Sequence, residues 1–283
     1  MGAISRGWAL TKQSWAVLRN DQSLVVFPIL STIFALVALA AIWLPTAIVT
    51  GILDFDDFDQ NNPVYYVALA ITVYVSTFIA IFFNVALAAC AARSLRGEDT
   101  TVSQGLSAAF SRIGPILGWT LVAGTVGLLL RVLEERTPLA GRIAVWIAGA
   151  AWAIATFFVV PVIALEGAGP FRSLKRSVET VKARWGEGAT GTIAISAVSG
   201  IIVVVLVIIG MAGAFLLFDV SAALGVVVVA LVVAAVIVVS IISSALSEIF
   251  RVAVYQFAVT GVAPGAFDPS LVQSAFDGRK RRG

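Results

Sequence analysis

Six long runs of apolar residues, each free of Asp, Glu, Lys and Arg, divide this chain: 24–49, 64–92, 113–130, 143–165, 189–218 and 220–247. A hydrocarbon layer about 30 Å thick needs roughly 20 helical residues, so five runs qualify comfortably and 113–130 lies near the lower limit. Lipid offers no hydrogen-bonding solvent, so each run must satisfy its own backbone as a helix or as a strand of a closed barrel. The run through Val226 and Ile242 shows no period-two alternation, which selects helix.

The polar stretches between the runs carry a second pattern, of helical period. In 4–20, Ile4, Trp8, Trp15 and Leu18 recur near helical spacing opposite Arg6, Lys12 and Arg19. In 170–185, Phe171, Leu174, Val178, Val181 and Trp185 recur opposite Arg172, Lys175, Lys182 and Arg184, and Pro170 suits a first helical turn. A shorter segment, 100–112, begins with Thr100, Thr101 and Ser103 as candidate caps. A further surface helix is expected at 268–276, followed by a basic tail, 277–283. Gly97, Gly167 and Gly261 each precede one of these segments, so the chain reads as a threefold repeat of surface helix plus transmembrane pair. The predicted fold is an all-α membrane protein. It is one polytopic domain over 1–283, with six transmembrane helices as three hairpins and amphipathic helices on the cytoplasmic face.

Charge sets the expected orientation. Of the 19 Lys and Arg residues, 16 fall in the N-terminal segment, the second and fourth connections, and the stretch after the last run. The first connection instead holds Asp54, Asp56, Asp57 and Asp59 and no basic residue. Basic loops stay inside, so both termini are expected in the cytoplasm of a multi-pass inner-membrane protein. The first run starts late and is followed by an acidic loop, which argues for a retained span over a cleaved signal. A composition 60% hydrophobic and 12% charged excludes an ordinary soluble domain, where charge runs near 25%. Its Ala, Val, Gly and Arg-rich usage points to a GC-rich bacterial source.

Candidate chemistry is sparse. The chain has no histidine and one cysteine, Cys90, so the commonest metal ligand and general base are missing and no internal disulfide is possible. The acidic loop 54–59 offers hard oxygens, but an EF-hand alignment fails at Asp59 and Tyr65, leaving a solvated external loop as the plainer explanation. No nucleophile elbow, phosphate-binding loop, dinucleotide fingerprint or zinc-protease motif occurs, so no catalytic residue, metal or cofactor is assigned. Asn84 lies within the second run and Glu248 and Arg251 where the sixth run ends, and three-residue spacing lets Glu248 and Arg251 pair. Small residues, including Ser196 and Gly200, Gly149 and Ala153, and Gly210 and Gly213, favour close helix packing.

The expected function is non-enzymatic: a scaffold or accessory subunit that organises lipid or a membrane complex. Its headgroup contacts would be Arg6, Lys12, Arg19, Arg172, Lys175, Lys182 and Arg184. Its expected partners are anionic membrane lipids and a second copy or a membrane-protein complex, with no nucleic acid. The alternative is a small-solute or ion transporter or channel whose polar path passes Asn84, Glu248 and Arg251 and the face bearing Thr72, Ser76 and Thr77.

The opening, Arg6-Gly7-Trp8-x-Leu10-x-Lys12-x-Ser14-Trp15-x-Val17-Leu18, then Leu24-x-x-Phe27-Pro28-Ile29-Leu30-Ser31, resembles the start of a family of six-span prokaryotic integral membrane proteins, a domain of unknown function. The chain is also distantly similar to membrane domains attached to some glycerophosphodiester phosphodiesterases. It lacks the histidines and metal-binding carboxylates of their catalytic domain, so the resemblance implies architecture and no hydrolase activity.

Overall fold

The computed structural model describes residues 3–51, 62–184, 190–218 and 221–265, and among these it contains helices and no strand. In chain order they are α1 (Ala3–Asn20), α2 (Ser23–Thr50), α3 (Pro63–Ser94), α4 (Val102–Ser111) and α5 (Ile113–Arg136). Then follow α6 (Leu139–Ala155), α7 (Val159–Glu166), α8 (Pro170–Arg184), α9 (Thr190–Phe218) and α10 (Ala222–Thr260). Local chemistry sets several ends. Asn62 Oδ1 accepts the Val64 N–H at 3.0 Å while Pro63 takes the first turn of α3, where its missing N–H costs nothing. Thr101 and Gln104 close a capping box at α4, which resolves the three candidate caps to Thr101. Gly261, at φ 75°, takes the left-handed position that stops α10.

Several boundaries depart from the sequence expectation: α5 runs on to Arg136, past its expected end at 130, and α6 starts at Leu139, ahead of 143. The run 143–165 is broken into α6 and α7, because Pro161 lacks the N–H that would bond to Phe157 and its ring crowds that carbonyl. The last run does not end at 247: α10 continues unbroken to Thr260, since no helix-stopping residue occurs before Gly261. The acidic loop 54–59, the expected helix 268–276 and the tail 277–283 lie outside the described residues.

Five segments are long and apolar enough to cross a membrane, by length and composition: Ser23–Thr50, Pro63–Ser94, Ile113–Arg136, Gly141–Glu166 and Ala222–Thr260. Their outward character supports lipid as the solvent. Only 6% of the most apolar stretch of α10 is buried, leaving Leu231, Val233 and Val238 bare, and water would not tolerate such a surface. α9 is a further uncharged helix of 29 residues, whose stretch Ile202–Phe215 is by itself too short to cross.

The chain packs as two compact units. One comprises residues 1–28, 91–99 and 184–283. Within it α1 packs on α9 and α10, and α9 and α10 lie along each other. Gly210 sits against Val232 and Gly213 against Val228, so these two helices run antiparallel. Its buried residues include Val17, Leu18, Leu24 and Phe27 and nearly all of α10 from Ala245 to Tyr255. The other unit comprises residues 29–90 and 100–183. In it Trp43 meets Tyr65 and Phe34 meets Phe83, pairing α2 with α3, while Trp119 stacks on Trp152 at 5.8 Å between α5 and α6.

Candidate functional site

The most organised polar surface is α8. Its packed side is made of small hydroxyl residues: Ser173, Ser177 and Thr180 are buried, at a spacing that places them together on one face. Ser177 holds the helix down. Its Oγ donates to the Ala155 carbonyl at 2.7 Å and accepts the Phe158 N–H at 3.0 Å, satisfying backbone groups freed by the break between α6 and α7. Ser173 Oγ donates to the Ala168 carbonyl at 2.9 Å, and Pro170 packs over Gly118 of α5.

Going round α8 at about 100° per residue, this packed face is followed by Val181, Leu174, Val178 and Phe171, and then by Lys182, Lys175 and Arg172 with Glu179 among them. Phe171 is 75% exposed, and the other three apolar side chains are half-buried. Arg172, Lys175 and Lys182 are exposed, whereas Arg176 pairs with Glu166 at 3.2 Å. Only the backbone of Arg184 is described, and Trp185 lies outside the described residues.

α1 repeats this layout over its described side chains. Ser14, Val17 and Leu18 are buried, Trp15 is 47% exposed, and Lys12 and Arg19 are exposed. Trp15 and Leu18 therefore do not share a packed stripe: Leu18 goes inward with Ser14, and the indole turns outward. The side chain of Arg6 lies outside the description.

Of the other sequence candidates, Asn84 is half-buried on α3. Glu248 is 2% exposed and accepts from Arg251 Nη1 at 2.9 Å, while its Oε1 has no hydrogen-bond partner among the described residues. Groups of three or more His, Cys, Asp or Glu side chains placed to hold a metal ion are absent among the described residues.

A feature missed in the sequence lies in the turn after α3. Glu98 accepts from Arg96 Nε at 2.7 Å and from Arg93 Nε at 2.9 Å, so one carboxylate clasps two guanidinium groups. The hydrogen bond from Arg96, reinforced by Arg93, holds the Glu98 carboxyl below the usual carboxylate range. The signal was present as charges flanking Gly97, but their convergence needs the turn. Beside it an open groove of about 850 Å³ is lined by Asn20, by Ser94 to Gly97, by Gln256 and Thr260, and by Val262 to Gly265.

These features define an all-α protein with membrane-length apolar helices and a polar surface built on short helices and turns. Residues 63–265, well over half of the chain, match the family of unknown function DUF6159, and the chain belongs to that family. Neither a curated protein nor a solved structure matches it. The likeness to glycerophosphodiester phosphodiesterase membrane domains finds no support in these comparisons, and residues 6–31, which carry the N-terminal resemblance, lie before the matched span.

Proposed function

We propose that this chain is a non-enzymatic, six-span inner-membrane protein, built as three hairpins with both termini in the cytoplasm. In this reading it acts as a scaffold or accessory subunit that gathers anionic lipid through α8. The observation that carries it is the division of α8 into three sectors: a packed hydroxyl face, an uncovered apolar flank led by Phe171, and a row of exposed cations. A helix lying in the headgroup layer needs those surfaces, one against its own protein, one against acyl chains and one against phosphates. α1, with Trp15 beside Lys12 and Arg19, supports the same placement.

The length of α10 favours this reading over a transport path. Its 39 residues extend roughly 58 Å at 1.5 Å per residue, far more than a hydrocarbon layer of about 30 Å. With its apolar N-terminal half in lipid, Glu248 and Arg251 fall at headgroup depth instead of at the midplane, where transport sites usually lie.

Each cation near an anionic surface contributes about 1 kcal/mol, less at high salt. The test is the enrichment of spin-labelled phosphatidylglycerol over phosphatidylcholine around the reconstituted full chain. Changing Arg172, Lys175, Lys182 and Arg184 together to Gln is expected to abolish most of the enrichment; an unchanged lipid preference would refute the assignment.

A further inference from the structure

We propose that the groove at the ends of α1, α3 and α10 is a binding site for a phosphate ester, presented either by a soluble organophosphate or by a lipid headgroup. It uses none of the α8 residues and does not depend on the reading given to them. Its volume of about 850 Å³ falls in the range of roughly 300–1,000 Å³ common to small-molecule sites. Its polar lining offers the guanidinium of Arg96, the carboxamide of Asn20, the hydroxyl of Ser94, and the carboxamide of Gln256, whose Nε2 also donates to the Ala92 carbonyl at 3.4 Å. No acidic side chain is among its described lining residues.

Arg96 is pre-set for this role. Its Nε is taken by Glu98, which fixes the plane of the guanidinium and leaves the terminal amino groups for a ligand. Glu98 is shared between Arg93 and Arg96 and is followed by Asp99, so the turn as a whole is near neutral and its positive charge is local to the outward-facing part of the Arg96 guanidinium. Helix C-termini ordinarily repel anions through bare carbonyls, and here three of those carbonyls are occupied. Gly97 N–H bonds to Ser94 O at 2.9 Å, Glu98 N–H to Arg93 O at 3.2 Å, and Gly261 N–H to Phe257 O at 2.8 Å. The opposite wall is equally fixed. Thr260 Oγ1 donates to Gln256 O at 2.7 Å and accepts the Val262 N–H at 3.2 Å, and the following turn brings Gly265 against the Leu95 carbonyl. Val262 and Pro264 supply an apolar side for the carbon skeleton of the ester.

The test uses the purified full chain in a maltoside detergent, titrated by calorimetry with glycerol 3-phosphate and, separately, with phosphatidylglycerol in mixed micelles. Binding is expected with one or both probes. R96Q should raise Kd by about tenfold, as expected for the loss of a charge-assisted contact, N20A should raise it less, and R96K should recover part of the loss. Binding of glycerol 3-phosphate assigns a soluble ligand; binding of the lipid alone assigns a headgroup. Absence of binding by both probes, or affinities that R96Q leaves unchanged, would overturn the site. Binding abolished by the fourfold Gln variant of α8 and untouched by R96Q would overturn it while leaving the proposed function standing.

Discussion

Ser177 illustrates how much one hydroxyl decides. It answers two backbone groups at once, the Phe158 N–H and the Ala155 carbonyl, at a place where the helical ladder is interrupted. Removing it takes away the hydrogen bonds made to both groups at a buried position, a loss of about 1–3 kcal/mol. S177A should therefore lower the unfolding free energy by that amount in detergent, measured by chemical denaturation, while S103A, at an exposed position on α4, should change little. Equal stability of the two variants would mean that the break between α6 and α7 is held by something other than this side chain. Pro161 marks the break in the sequence, but nothing local says that Ser177 repairs it. The two groups are 19 residues apart and are joined only when α8 folds back.

Among the elements, the lesson concerns which face of a helix packs. In water the apolar stripe of a helix turns inward, and the stripes of α1 and α8 would be expected to do so. In α8 small hydroxyl residues pack, in α1 Ser14 packs beside Val17 and Leu18, and the largest apolar groups, Trp15 and Phe171, stay bare. Lipid is as apolar as Leu, so exposing Phe costs little there, and close approach of backbones decides the contact instead. The same rule governs α9 and α10. At Gly210 an added Cβ would overlap Val232, whereas at Gly213 the nearest neighbour, Val228 Cγ1, would lie an ordinary 3.9 Å away. G210A should thus destabilise the chain by about 1–3 kcal/mol through overpacking. G213A should be neutral or gain up to about 1 kcal/mol from helix propensity. Matching unfolding curves for the two variants would contradict the close crossing at Gly210.

For the whole molecule, the proposed orientation makes a topological demand: the Asn62 end of α3 and the exposed face of α8 must lie on opposite sides of the membrane. In a Cys90→Ala background, N62C should react with an impermeant maleimide from outside intact cells, and K175C only after the cells are opened. Labelling of both in the same compartment would exclude the six-span arrangement. Much of the architecture was legible beforehand, because a bilayer's thickness and its lack of hydrogen-bonding partners force long, uncharged, helical runs that a chain cannot disguise. Those constraints act residue by residue, so the sequence by itself determined the helical class and the position of the apolar segments. Three-residue spacing already let Glu248 pair with Arg251, but the tertiary structure alone decided that Glu248 is buried, that Ser177 seats α8, and that Asn20, Arg96 and Gln256 line one groove. These last three residues belong to stretches far apart in the chain, and only the packing of α1, α3 and α10, which leaves no periodic trace in any one of them, brings their donors together.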